Sequence, residues 1–154
     1  MSHATTTAPS PQAATVRRPR PVWLVSALAG VTAAVATELY GLAARAAGIP
    51  MSAAGFGSAT ATPITVGMFA MSTLICTFWA TVLAVVLARY ARHPARAYLR
   101  ATLALTALSL AVPLSAAGTA ISTKVMLACA HLLAAAIVIP AVTRRLARAP
   151  GRGA

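Results

Sequence analysis

The sequence predicts an all-α membrane protein, a four-helix transmembrane bundle with up-down antiparallel topology and both termini in the cytoplasm. Three observations carry this reading. Of the 154 residues, 59% are hydrophobic and 9% are charged, whereas a soluble domain carries about 25% charged residues. Four apolar segments each run for roughly 19 to 25 residues, enough as helix to cross a hydrocarbon core of about 30 Å. The basic residues behind the formal net charge of +12 bracket these segments.

In chain order, residues 1–21 read "MSHATTTAPSPQAATVRRPRP". They lack the apolar content to build a core, so a disordered basic tail is expected. The membrane domain then spans 22–146, with helices expected at about 22–44, 64–88, 101–123 and 125–143. Thr62 and Pro63 supply an expected N-cap and first-turn proline for the second helix. The linker between the first two segments is rich in Gly, Ala, Ser and Thr, and "GFGS" within it reads as a flexible loop. Residues 147–154 form a second basic tail.

Charge placement decides between two readings of the high positive charge. A nucleic-acid-binding face would interleave basic, polar and aromatic residues on one surface. Here Arg17, Arg18 and Arg20 precede the first segment, Arg89, Arg92, Arg96 and Arg100 surround the second linker, and Arg144, Arg145, Arg148 and Arg152 close the chain. With alternating spans these clusters share one side, which the positive-inside rule makes cytoplasmic. Nucleic acid is therefore not expected as a partner. The start "RRPRPVWLVSALAGV" resembles a signal peptide, but its apolar run exceeds a signal core and three more spans follow, so an uncleaved helix is the better reading.

Glu38 is the only acidic residue of the chain, and it lies inside an apolar run. It falls about 6 Å past the midpoint of the first helix. A charge at such depth costs several kcal/mol unless paired, protonated or watered, so it should face the bundle. Ser26, Gly30, Ala34 and Glu38 recur every four residues, a small-residue row that lets another helix approach closely. His131 falls about 4 to 5 Å to the same side of the fourth helix's midpoint. First and last helices of an up-down bundle are neighbours, so a buried Glu38–His131 pair is expected, acting as a polar staple that fixes helix register.

A hydroxyl stripe, Thr102, Thr106 and Ser109, leads to Pro113 on the third helix. Hydroxyls of this kind can satisfy the carbonyl that a mid-span proline frees. Thr73, Thr77 and Thr81 form a similar row on the second, expected to bond between helices or back to their own backbone. Arg89, Arg92, Arg96 and Arg100 are candidates for contact with anionic lipid head groups. Tyr90 and Tyr98 flank them as interfacial anchors, and Trp23 and Tyr40 fit the same role on the first helix. No catalytic, cofactor-binding or metal-binding residues are identified. A single carboxylate excludes two-carboxylate acid/base chemistry, Cys76 and Cys129 lack metal-ligand spacing, and no phosphate-binding glycine loop or nucleophile elbow is present.

The stretch "SLAVPLSAAGTAISTKVMLACAHLLAAAIVIPAVTRRL" carries Ser109-Leu110 before Pro113-Leu114, then His131-Leu132 followed by alanines, Pro140 and terminal arginines. Over roughly residues 89–146 it resembles an uncharacterised family of small four-span membrane proteins of high-GC Gram-positive bacteria. The resemblance implies the topology and implies no activity. The lone Glu38 in the first span is also similar to the essential glutamate of small multidrug transporters, which exchange protons for cationic drugs. The long loop, the extra histidine and the charge bias depart from that pattern.

The function expected from sequence is thus a small non-enzymatic structural or accessory component of the bacterial plasma membrane. Its expected partners are the lipid bilayer, anionic lipid head groups, and another membrane protein or a second copy of itself. The alternative is a proton-coupled transporter of cationic, drug-like molecules that uses Glu38.

Overall fold

A computed structural model of the chain describes residues 20–55 and 60–148. Residues 1–19 and 149–154, the bulk of the two expected tails, lie outside the described residues, as does most of "GFGS". Within them the chain forms α1 (Val22–Ala46), β1 (Ser52–Ala54), β2 (Ala61–Pro63), α2 (Met68–Tyr90), α3 (Pro94–Ser115) and α4 (Ile121–Ala147). All four helices are long and apolar enough to cross a membrane.

Element boundaries depart from expectation at three places, each for a local reason. Thr62 and Pro63 do not start α2. They belong to a two-stranded antiparallel hairpin with Ser52 opposite Pro63, Ala53 opposite Thr62 and Ala54 opposite Ala61. Helix α2 begins five residues past Pro63, after Gly67 at φ 91°, a left-handed conformation that costs glycine little. Helix α3 begins at Pro94, well before the expected position 101. Proline suits a first helical position because its missing N–H is one of the orphan donors anyway. It ends at Ser115, and a turn through Gly118, φ 69°, leads into α4.

The early start of α3 reassigns Tyr98. An interfacial anchor exposes its ring to the head-group region, but Tyr98 is fully buried, in a core cluster with Ala29, Ala33, Ala84, Val138 and Val142. Tyr90, at the end of α2, is 77% exposed as an anchor should be.

Helix α1 is the hub. It packs along both α2 and α4, α3 packs on α4, and α2 meets α3 over a shorter stretch. Of its most apolar stretch 33% is buried, against 11% for α2. The α1–α2 contact is built from small and hydroxyl residues. Ser26 Oγ meets Thr81 Oγ1 at 2.6 Å and Thr37 Oγ1 meets Thr73 Oγ1 at 3.0 Å, so the two helices run in opposite directions along the seam. Between these pairs Gly30 faces Thr77, and beyond them Gly41 faces the ring of Phe69. Thr77 and Thr81 also donate to the carbonyls one turn back, Thr73 O and Thr77 O, at 2.7 Å each. Both modes expected of the Thr73, Thr77, Thr81 row therefore occur together.

A Cβ at position 30 would collide with Thr77 Cγ2. Gly30→Ala is therefore expected to lower stability by about 1–3 kcal/mol through overpacking. Adding Thr77→Ser, which removes that methyl, should recover part of the loss. Thermal unfolding of the detergent-solubilised variants measures both, and equal stability of G30A and wild type would refute the close seam.

Candidate functional site: the Glu38 cap

The sequence isolates Glu38, and the structure gives it a specific task. Glu38 lies on α1 one residue beyond Thr37, the last hydroxyl of the seam, where α1 passes the first turn of α2. Its Oε1 accepts from the N–H of Gly67 at 2.7 Å, and its Oε2 accepts from the N–H of Ala70 at 3.0 Å. The first N–H groups of a helix have no partner inside it. No side chain at position 67 caps α2, because that residue is glycine. In a capping box, one side chain serves the N3 amide while another reaches back to the N-cap amide. A single glutamate from the neighbouring helix performs both tasks here. Its negative charge also lies at the positive end of the α2 dipole.

The expected Glu38–His131 contact is corrected by this geometry. His131 Nδ1 donates to Leu127 O, one turn back on its own helix, at 2.8 Å. No hydrogen bond or ion pair among the described residues joins it to Glu38. The reason is angular. Helices α1 and α4 do pack together, and at this level Tyr40 of α1 interacts with Cys129 of α4. Two residues along a helix are about 200° apart around its axis. With Tyr40 turned to α4, Glu38 is turned to α2.

The same end of the bundle gathers other closures of backbone ends. Arg45 Nη2 donates to Ile64 O at 2.7 Å. Lys124 Nζ donates to Leu114 O at 3.2 Å, in the last turn of α3. The hairpin is fastened to the start of α4 by Ala54 N donating to Thr119 Oγ1 at 2.9 Å and by Thr123 Oγ1 donating to Pro50 O. Thr119 and Thr123 were not singled out from sequence. The alternation of small and hydroxyl residues through "AAGTAISTK" resembles an ordinary turn.

The hydroxyl stripe of α3 bonds locally. Thr102 donates to Tyr98 O at 2.7 Å, Thr106 to Thr102 O at 2.8 Å and Ser109 to Thr106 O at 2.8 Å. The carbonyl that Pro113 frees is that of Ser109, one turn earlier, and these hydroxyls serve other carbonyls. Arg89, Arg92, Arg96 and Arg100 are all exposed around the α2–α3 turn. They lie at the opposite end of the bundle from Glu38, where Arg145 Nε also donates to Arg20 O just before α1. Among the described residues no group of three or more His, Cys, Asp or Glu side chains is placed to hold a metal.

Glu38→Ala removes both acceptors and is expected to cost about 1.5–3 kcal/mol, the range for hydrogen bonds to a charged group. Glu38→Gln keeps one acceptor oxygen and should lose less. Hydrogen exchange at the start of α2 should accelerate in both variants, with E38A the faster. Unchanged exchange there in E38A would remove the capping role.

No curated protein and no solved structure matches the chain. A family model does match, over residues 17–148, which covers all four helices and the hairpin between the first two. The chain accordingly belongs to a family of unknown function, DUF6069.

Proposed function

We propose that this protein is a non-enzymatic accessory or structural component of the bacterial plasma membrane, with four spans in up-down order and both termini cytoplasmic. The distribution of charge between the two ends supports the orientation. Arg20, Arg89, Arg92, Arg96, Arg100, Arg144, Arg145 and Arg148 gather at the end away from the hairpin, and Arg45 and Lys124 lie at the hairpin end. Under the positive-inside rule the arginine-rich end is the cytoplasmic one. Its partners on this reading are the bilayer and its anionic head groups, together with another membrane protein or a second copy of the chain.

The observation that carries the non-transporting role is the state of Glu38. A proton-coupled exporter needs its carboxylate to alternate between proton and cationic substrate. Both oxygens of Glu38 are engaged with the α2 backbone, so binding a cation there would have to displace the cap of a membrane helix. The polar groups at the α1–α2 seam are likewise spent on each other and on helix carbonyls.

Reconstituted in liposomes under an imposed proton gradient, the protein is expected to move no hydrophobic cation above the protein-free background, and Glu38→Gln should behave identically. Gradient-driven movement that disappears in E38Q would reverse this reading in favour of proton-linked export.

A further inference from the structure

Near the arginine-rich end, α3 and α4 line an open cleft of about 520 Å³ on the bundle's flank. Its walls are Leu99 and Leu103 of α3 and Leu132, Ala135 and Ile139 of α4, and Arg144 closes its mouth. From Leu132 to Arg144 the α4 wall rises about 18 Å along the helix, somewhat more than half of a hydrocarbon core of about 30 Å. The cleft therefore has the length and the apolar lining of one acyl chain in one leaflet.

Charge at the mouth selects among lipids. Arg96 lies three residues before Leu99, so it continues the α3 wall by one turn toward the end of the bundle. Arg148 lies four residues after Arg144 and continues the α4 wall in the same sense. Arg96, Arg144 and Arg148 are all exposed. The chain's only acidic side chain is held at the opposite end by Gly67 and Ala70, so no Asp or Glu side chain competes for these guanidinium groups. Arginine pairs with phosphate through two parallel N–H donors, which makes it well suited to a phosphodiester.

We propose that the α3–α4 cleft is a binding site for one anionic phospholipid. An acyl chain lies along Leu99, Leu103, Leu132 and Ile139, and the head-group phosphate sits between Arg96 of α3 and Arg144 and Arg148 of α4. This deepens the reading above and rests on its membrane placement, with the arginine-rich end at the cytoplasmic leaflet. The occupant lies against both α3 and α4, so the lipid adds to the packing between the two helices.

Native mass spectrometry of the detergent-solubilised full chain, titrated with phosphatidylglycerol or phosphatidylcholine, tests the site. The expected result is one phosphatidylglycerol retained at least five-fold better than phosphatidylcholine. Arg96→Gln combined with Arg144→Gln should reduce that preference to about two-fold or less. Ala136→Phe, which fills the cleft from α4, should reduce retention of both lipids while leaving the arginines in place. Arg89→Gln with Arg92→Gln, outside the cleft, should leave the preference intact.

Equal retention of the two lipids would overturn the proposal. So would loss of preference in R89Q/R92Q but not in R96Q/R144Q, which would mean diffuse attraction to the charged end. Displacement of the lipid by glycerol phosphate at equal concentration would also overturn it, by showing a head-group site without an acyl chain. Failure of the membrane orientation reads out separately, as labelling of a cysteine at Arg148→Cys from outside intact cells.

Discussion

The close approach of α1 to α2 is the constraint from which the remaining architecture follows. Gly30 leaves no room for a side chain against Thr77, and Gly41 leaves none against Phe69. In lipid there is no hydrophobic drive between helices, so packing and interhelical hydrogen bonds must hold them together, and small residues permit both. Once α1 and α2 are this close, the carboxylate of Glu38 reaches the first turn of α2. The cap and the seam are two parts of one contact, and the neighbouring strip of α1, Ala29 and Ala33, about 60° round the helix from Ser26 and Gly30, enters the apolar core with Ala84 of α2 and Val138 and Val142 of α4.

A second regularity concerns how charge is used. With one acidic residue against 13 basic ones, ion pairing cannot organise this protein. The charged side chains close helix and loop backbone instead. Glu38 takes the free N–H groups of α2, Lys124 serves a carbonyl in the last turn of α3, Arg45 serves Ile64 and Arg145 serves Arg20. Each matches the sign of the backbone group it meets: the anion at donors, the cations at acceptors. Unpaired backbone groups are most costly where water is scarce, and these charged side chains remove that cost at the ends they meet.

The two sides of α1 therefore differ in kind. Toward α2 the contact is polar and specific, since hydroxyl pairs and a carboxylate have fixed partners. Toward α4, and on to α3, it is apolar around the buried ring of Tyr98, and the flank cleft lies between α3 and α4. The hairpin bridges this asymmetry at one end, joining the α1–α2 loop to the start of α4 through Thr119 and Thr123.

Hydropathy and length were enough to predict four helices long and apolar enough to cross a membrane, because those properties depend only on composition along a segment. The i, i+4 recurrence of Ser26, Gly30, Ala34 and Glu38 was likewise readable as a packing face, since helical periodicity is local. What sequence could not supply was direction around the axis. Depth along a helix follows from its rise per residue, so Glu38 and His131 could be placed at one level. Which neighbour each faced depended on how α1 rolls between α2 and α4, a property of all the contacts at once. The hairpin and the true start of α2 were hidden for a related reason. Three-residue strands of Ala, Ser, Thr and Pro carry no pattern of their own, and the group that caps α2 comes from another helix, so only the tertiary structure could join donor to acceptor.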